Sequence, residues 1–233
     1  AMKNFIGKHL PRPLLRIAYA ILNSLKYVPE SERVHFNVRT LNAGHYSVKY
    51  RNIPMIRCPF DYVIYQMIIS ELKPDLIIEI GTNVGGTTLY LADLLDKIGH
   101  GTIHSIDIDK HSDPEIAKHP RIKLFFEGWE KYDITIAKTF KKVLTIEDSS
   151  HTYENTLAAM KKFWPLVSIG SYFIIEDGIV SRLGRDKGFH GGPLRAIREF
   201  LSNNDHFTVD RQYCDMFGQN ATWNVNGYLK RTK

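Results

Sequence analysis

Short apolar segments alternate with helix-like segments from about residue 60 onward, and this alternation limits the chain to few architectures. The apolar segments are rich in Ile, Leu, Phe and Val, as buried strands are, and they cover 75–80, 102–107, 121–126, 142–147 and 171–176. Helical periodicity covers the segments 60–72, 86–97, 131–140, 152–163 and 193–203. Strands that alternate with helices predict an α/β fold, in which a mostly parallel sheet is covered by helices on both faces.

Two further strand-like segments, 206–211 and 222–230, close the chain. Their turn-rich connection, 212–221, has no room for a crossover helix, so we expect these two strands to pair antiparallel. The predicted sheet therefore has seven strands and is parallel except for an antiparallel last strand.

The first 57 residues differ in charge from the rest of the chain. They hold ten Lys and Arg against Glu30 and Glu32, a net charge of +8; because the whole chain carries +6, the remaining residues carry −2. Residues 14–26 place apolar side chains at helical spacing, which predicts a helix that packs on its own core, on a second subunit or on a membrane surface. We therefore divide the chain into a basic N-terminal arm, 1–57, and a globular domain, 58–233. A positive charge confined to the arm argues against a nucleic-acid-binding core.

The cysteine pattern and the hydropathy indicate the cellular compartment of the protein. Cys58 and Cys214 form neither a disulfide framework nor a metal-binding spacing, which is typical of reduced thiols in the cytoplasm. No apolar run approaches the roughly 20 residues that a membrane-spanning helix needs. We expect a cytoplasmic protein whose basic arm is suited to peripheral contact with the inner membrane surface.

A glycine-rich turn, "EIGTNVGGTT" (79–88), joins the first predicted strand of the sheet to the next helix. Glycine permits a tight turn and a close approach of ligand to backbone, and the helix N-terminus offers unpaired N–H groups. The spacing has neither the G-x-G-x-x-G register of dinucleotide sites nor the Gly-Lys-Ser/Thr ending of Walker loops. It resembles the first motif of S-adenosylmethionine-dependent methyltransferases; the alternative is a tight turn without a ligand. The candidate cofactor-binding residues of this turn are Glu79, Gly81, Thr82, Asn83, Gly85 and Gly86. Glu79 could receive the ammonium of the ligand, directly or through water.

The next two strands end in further candidate contacts. Asp107 lies at the tip of "SIDID", where an acidic side chain can accept hydrogen bonds from two ribose hydroxyls, and Asp109 is the alternative. "FEGW" (126–129) ends the third strand, and its Gly128 and Trp129 are weaker candidates for the adenine edge.

Two later strands end in acidic residues, the first at Asp148 and the second at Glu176 and Asp177. The carboxyl ends of neighbouring parallel strands meet at one edge of a sheet, so the three carboxylates should converge. Such carboxylates repel one another, and a divalent cation that prefers oxygen ligands, Mg²⁺, would remove that repulsion. The alternative is a metal-free site in which these acids cap helices or pair with Lys or Arg.

His151 follows Asp148 by three residues, which brings its imidazole to the same edge of the sheet. A substrate hydroxyl bound to the cation would lose its proton more easily, and imidazole is the natural acceptor near neutral pH. His151 and Asp148 are therefore the candidate catalytic residues. The alternative is that His151 or Ser150 only caps the next helix.

Together these motifs resemble the cephalosporin-hydroxylase-like or rhamnosyl O-methyltransferase family, over about residues 59–230. The most specific segments are "IEDSSHTYENT" and "SYFIIEDGIV". The resemblance implies a Rossmann-like class I methyltransferase fold that binds S-adenosylmethionine and Mg²⁺. It also implies homo-oligomers, often built through N-terminal segments, and a sugar hydroxyl on a glycolipid or other sugar-containing molecule as acceptor. In related macrolide-sugar O-methyltransferases an Asp-x-x-His segment and a Glu-Asp pair form the site, which here implies Asp148, Glu176 and Asp177 as metal ligands and His151 as base.

Other functions are compatible with parts of the sequence. The same fold could methylate a small diol such as a catechol, or it could act without catalysis as a scaffold in a glycan-assembly complex. An iron/2-oxoglutarate site would use the "HSD" segment at 111–113, but the α/β pattern disfavours it because those enzymes are usually all-β barrels. The segment 178–193 is rich in glycine and charge and is a candidate lid; the alternative is an ordinary exposed loop.

Overall fold

The structure is a computed structural model and describes residues 11–24 and 29–233. The chain forms two units, one that ends at Asn37 and one that runs from Val38 to Lys233. Residues 38–57, which the sequence pattern grouped with the basic arm, thus belong to the larger unit.

The smaller unit contains one α-helix, α1 (Arg12–Ser24), and a single 3-10 turn (Glu30–Glu32) in its described residues. The apolar residues Leu14, Ile17 and Ile21 of α1 are each about half exposed, at 48%, 56% and 54%. The helix therefore does not bury these side chains in a core of its own. None of the helices within 11–24 and 29–233 is long and apolar enough to cross a membrane.

The larger unit is built on a seven-stranded sheet and a separate short hairpin. The hairpin pairs β1 (Lys49–Tyr50) with β2 (Ile53–Pro54). The sheet consists of β3 (Leu76–Ile80), β4 (Thr102–Ile106), β5 (Ile122–Phe125), β6 (Val143–Glu147), β7 (Tyr172–Ile175), β8 (Phe207–Val209) and β9 (Tyr228–Arg231). Its α-helices are α2 (Val38–His45), α3 (Pro59–Leu72), α4 (Gly86–Ile98), α5 (Pro114–Lys118), α6 (Tyr153–Phe163), α7 (Gly192–Asn203) and α8 (Arg211–Cys214).

The order of the strands in the sheet is β5-β4-β3-β6-β7-β9-β8. The first five are parallel, and β9 runs antiparallel to both of its neighbours. Every residue of β3 and of β6 is buried, because helices cover both faces of these central strands. The α/β fold predicted from the sequence, a mostly parallel seven-stranded sheet with an antiparallel last strand, is confirmed.

The topology also decides where a ligand can enter. From β3 the chain moves to β4 and β5 on one side, and it then returns to place β6 on the other side of β3. A crevice opens at such a reversal, outside the carboxyl ends of the strands. The glycine turn after β3 and the acidic segment after β6 therefore lie side by side.

Two segments differ from the sequence-based prediction. The helix expected over 131–140 is a short 3-10 turn, Ile134–Ala137, because Asp133 accepts bonds from the backbone and hydroxyl of Thr135 and β-branched residues follow one another. The last strand begins at Tyr228 and not near 222, because Trp223 N donates to the buried Asp61 and so is withdrawn from the sheet.

Candidate active site

A cavity of about 410 Å³ opens at the carboxyl ends of β3, β4 and β6. Its walls are the segment before α3, the glycine turn, the tip of β4, the turn after β5 and the acidic segment after β6. Nine of the ten candidate cofactor-binding residues line it: Gly81, Thr82, Asn83, Gly85, Gly86, Asp107, Asp109, Gly128 and Trp129.

The glycines of the turn are required by close packing against other backbone segments. Gly81 has φ +102°, and a Cβ there would lie 2.0 Å from the carbonyl oxygen of Asp148. A Cβ on Gly86 would lie 2.2 Å from the carbonyl oxygen of Pro54. Glycine at these positions thus brings the turn, the acidic segment and the β2 strand around one cavity.

Glu79 is the one candidate cofactor residue that does not line the cavity. Its buried carboxylate accepts hydrogen bonds from Thr88 Oγ1 at 2.5 Å and from Ser105 Oγ at 2.6 Å. Burial raises the pKa of Glu79 to about 7, although these two donors oppose the rise. In this structure Glu79 therefore joins the first turn of α4 to strand β4 through hydrogen bonds and does not line the cavity.

Asp107 holds the turn from the opposite side. One carboxylate oxygen accepts from Asn83 N at 2.8 Å, and the other accepts from Ile108 N at 2.7 Å and Asp109 N at 3.1 Å. His111, an exposed residue, also borders the cavity, and its Nε2 lies 3.2 Å from the side-chain oxygen of Asn83.

Trp129 is fixed by a chain of hydrogen bonds that the sequence did not indicate. Its indole Nε1 donates to Asn155 Oδ1 at 3.1 Å, and Asn155 Nδ2 donates to Ser149 Oγ at 2.6 Å. The Ser149 hydroxyl in turn donates to the buried carboxylate of Glu147. Since Trp129, Ser149 and Asn155 all line the cavity, this chain sets the orientation of one of its walls.

Asp148, His151 and Asp177 come together at one end of the cavity. Their ligand atoms all lie within 4.8 Å of one another, and all three residues line the cavity. His151 Nε2 is 3.2 Å from Asp177 Oδ2, and His151 Nδ1 is 4.0 Å from Asp148 Oδ1. The predicted convergence of two strand ends thus brings together two carboxylates and one imidazole.

Glu176, the third predicted metal ligand, is turned away from this group. Its Oε1 accepts a bond from Arg57 Nη1 at 2.5 Å and from the Tyr65 hydroxyl at 2.5 Å. Glu176 is buried and does not line the cavity.

Arg57 is the functional candidate that sequence reasoning missed. Its buried guanidinium also donates to Asp148 Oδ2 at 3.3 Å and to Thr87 Oγ1 at 3.2 Å. Burial opposes its charge, but the adjacent carboxylates, Glu176 first, raise the pKa of Arg57 above its usual range. A signal existed, because Arg57 stands among the apolar residues Met55, Ile56 and Cys58.

The acidic group suits a divalent cation. Burial raises the pKa of Asp148 well above its usual range, and the carboxylates of Glu176 and Asp177 raise it further while Arg57 opposes them. The negative charge of the site therefore exceeds what Arg57 balances. The carboxylate oxygens of Asp148 and Asp177 are donors of the kind that fit Mg²⁺.

The candidate lid, 178–193, is held by its own hydrogen bonds. The backbone oxygen of Asp186 accepts from Gly191 N at 2.9 Å, and its carboxylate accepts from the Ser181 hydroxyl at 2.5 Å. A further bond, from Tyr153 N to Phe189 O at 3.0 Å, joins the segment to α6. Whether this segment opens and closes stays a prediction.

The profile of the rhamnosyl O-methyltransferase/CmcI family matches residues 42–232. The chain belongs to this family. Rhamnosyl O-methyltransferase of Mycobacterium tuberculosis (strain ATCC 25618 / H37Rv) is 34% identical over 181 residues, which are 72% of this chain and 71% of that protein. The Mycobacterium leprae (strain TN) protein of the same name is 32% identical over 180 residues, 72% of this chain and 76% of that protein.

Solved structures of CmcI share the fold. One labelled Mg-SAM has a TM-score of 0.61 at 22% identity and covers 97% of this chain and 88% of its own. Another, labelled SAH, has a TM-score of 0.61 at 20% identity and covers 97% of this chain and 96% of its own. The family and the enzyme class predicted from the sequence, an O-methyltransferase, are confirmed.

Proposed function

We propose that this enzyme transfers the methyl group of S-adenosylmethionine to a sugar hydroxyl of a glycan, glycolipid or glycosylated metabolite, with Mg²⁺ bound at the acidic site. The observation that carries the proposal is the convergence of Asp148, His151 and Asp177 at the end of the cavity that the glycine turn borders. The sugar as acceptor is supported by family membership and by the name of the mycobacterial relatives.

Each part of the cavity has an assigned role in this proposal. The glycine turn and the N-terminus of α4 hold the methionine part of the cofactor, Asp107 with Asp109 holds the ribose, and Gly128 with Trp129 borders the adenine. Asp148 and Asp177 would supply oxygen ligands for the cation. Glu176, which bonds to Arg57 and Tyr65, would have to turn toward the cavity to become the third ligand. Bound Mg²⁺ would supply a Lewis acid that lowers the pKa of a substrate hydroxyl.

His151 is the proposed base, and its surroundings favour one tautomer. Its Nε2 lies 3.2 Å from the carboxylate oxygen Asp177 Oδ2, so a proton on Nε2 is stabilised by that negative charge. The lone pair then lies on Nδ1, which has no hydrogen-bond partner among the described residues. The proposal requires the imidazole of His151 to turn Nδ1 from its buried position toward the substrate hydroxyl, whose proton it then accepts.

A methylation assay tests the proposal. The protein would be incubated with S-adenosylmethionine that carries a labelled methyl group and, in parallel, with rhamnose-containing glycolipids, free saccharides and a catechol, each with Mg²⁺ or with a chelator. We expect label on a saccharide only in the presence of Mg²⁺. Preferential labelling of the catechol would contradict the sugar acceptor, and full activity in the chelator would contradict the metal.

The arm extends the same proposal to assembly and location. A net charge of +8 in residues 1–57, with Leu14 and Ile17 exposed, supports a cytoplasmic homo-oligomer that contacts the inner membrane surface through the arm. Sedimentation equilibrium would give the subunit number. Binding to vesicles with and without anionic lipid would test the membrane contact, which requires tighter binding to the anionic vesicles.

A further inference from the structure

The buried guanidinium of Arg57 lies beside the acidic site, and it takes no part in the reaction proposed above. The guanidinium of Arg57 is 2% exposed, and it bonds with two carboxylates that come from neighbouring strands, Asp148 after β6 and Glu176 after β7. Tyr65 completes the arrangement: its hydroxyl donates to Glu176 Oε1, and Arg57 Cζ lies 4.7 Å from its ring centre. Removing a guanidinium from water costs free energy. That cost is offset here because the guanidinium pairs with buried carboxylates that would otherwise lack a counter-ion.

We infer that Arg57 is a positioning residue: it is the internal counter-ion that orients the carboxylates of Asp148 and Glu176 before any metal ion binds. It takes one oxygen from each carboxylate, Asp148 Oδ2 and Glu176 Oε1. The other oxygen of Asp148, Oδ1, then faces His151 and the cavity. This inference rests on the acidic site being the metal site of the proposed function.

The charges of the site support this role. Asp148, Glu176 and Asp177 carry three negative charges when ionised, and Arg57 contributes one positive charge. The surplus is two negative charges, which one divalent cation would neutralise. Two other buried acids nearby, Glu147 and Glu79, bond to hydroxyls of Ser149 and of Thr88 and Ser105, respectively, and neither lines the cavity. Without Arg57 the same carboxylates would repel one another in a poorly hydrated place.

The inference predicts a particular pattern of thermal stability in four proteins studied in a chelator. Arg57→Met should lower the melting temperature by about 5–15 °C, because it leaves two buried carboxylates without their counter-ion. Glu176→Gln should lower the melting temperature of the wild-type protein, since Arg57 then loses its closest partner. In the Arg57→Met background, the same Glu176→Gln change should raise it, because one uncompensated charge is removed.

The change in melting temperature caused by Glu176→Gln should thus have opposite signs in the two backgrounds. This reversal distinguishes a counter-ion from an arginine that only packs against its neighbours. If Arg57 only packs on Tyr65, Glu176→Gln will shift the melting temperature equally in both backgrounds, and the inference is overturned. The matched control is Arg51→Met, because Arg51 lies six residues earlier and is half exposed beside Asp93. Should Arg57→Met fail to fold, the double variant still decides: it must fold in the chelator, and its failure to do so overturns the inference.

Addition of Mg²⁺ distinguishes this inference from the proposed function. Excess Mg²⁺ should raise the melting temperature of Arg57→Met more than that of the wild type, because a divalent cation replaces the missing positive charge. If the sign reversal occurs but Mg²⁺ shifts none of the four proteins, the counter-ion role stands and the metal in the proposed function is wrong. If Mg²⁺ stabilises the wild type and the sign does not reverse, the metal stands and the role of Arg57 is wrong.

Discussion

Nε2 of His151 lies 3.2 Å from Oδ2 of Asp177, while Nδ1 of the same imidazole is buried and has no partner in the described part of the chain. Both residues adopt positive φ, +57° for His151 and +55° for Asp177. Asparagine tolerates this left-handed conformation better than most residues, which makes it the substitution that tests the side chains with least disturbance of the backbone.

Replacement of His151 by Asn should lower turnover by about 10²–10⁴-fold, the range expected for loss of a general base. Because the cofactor contacts lie elsewhere in the cavity, the affinity for S-adenosylhomocysteine, measured by calorimetry, should stay nearly unchanged. An unchanged turnover rate would mean that another group accepts the proton. The matched variant Asp177→Asn should retain the backbone and impair Mg²⁺ binding as well as turnover.

Asp148→Asn should abolish metal-dependent methyl transfer while the protein still binds S-adenosylhomocysteine. The change removes a ligand charge but keeps the shape of the side chain and its contact with Arg57. Calorimetry should show no Mg²⁺ binding, and methyl transfer should not recover at high Mg²⁺. Asp205→Asn is the control, because Asp205 is an exposed carboxylate paired with Lys233. Wild-type Mg²⁺ affinity in Asp148→Asn would place the cation elsewhere.

Asn155→Ala should weaken adenosine binding roughly fivefold, which corresponds to the loss of ~1 kcal/mol from one hydrogen bond. The variant frees the indole of Trp129, the wall proposed to border the adenine. Calorimetric titrations with adenosine and with S-adenosylhomocysteine should lose affinity by the same factor, because only the nucleoside part is affected. Glu154→Ala, one residue earlier and exposed on the same helix, is the control and should bind both ligands normally. Equal affinities in the two variants would contradict the role of this chain of hydrogen bonds.

The raised pKa of the buried Asp61 makes the free energy of unfolding depend on pH. Burial raises the pKa of Asp61 from 3.8 to about 6, although Thr222, Tyr228 and the Trp223 amide donate to it. A folded-state pKa above the unfolded value means that its stabilising contribution is fully present below pH 3.8 and is lost as the pH rises through about 6. Between pH 3.8 and about 6, the free energy of unfolding of the wild type should therefore fall by about 3 kcal/mol relative to that of Asp61→Asn. Urea unfolding across the interval would measure both proteins, and parallel curves would refute the shift.

Gly86→Ala should destabilise the protein by about 1–3 kcal/mol, because the added methyl group meets the Pro54 carbonyl. The clash also displaces the glycine turn, so the affinity for S-adenosylhomocysteine should fall. Gly44→Ala is the matched control, since a Cβ there has no neighbour within 4 Å. Thermal unfolding and calorimetry of both variants test this, and equal stability would show that the turn relaxes freely.

Local patterns were sufficient to predict the sheet, the cavity and most of its lining. Strand positions follow from apolar runs, and the chain order of alternating strands and helices leaves few topologies, so the carboxyl ends of β3 and β6 had to meet. The positions of Gly81, Asp107 and Asp148 at strand ends were visible for the same reason. The segments 131–140 and 222–227 were misjudged, because side-chain bonds from Asp133 and to Asp61 compete with regular backbone pairing.

The sequence alone determined which residues end each strand, because periodicity and glycine placement are local properties of the chain. Only the tertiary structure decided how the charges there are balanced. Arg57 is 91 residues from Asp148 and 119 from Glu176, and no spacing rule connects them. Likewise, Glu79 is withdrawn from the cavity by hydroxyls of α4 and β4. A buried charge takes whatever partner the fold brings within hydrogen-bond distance, and that partner is set by packing across the whole domain.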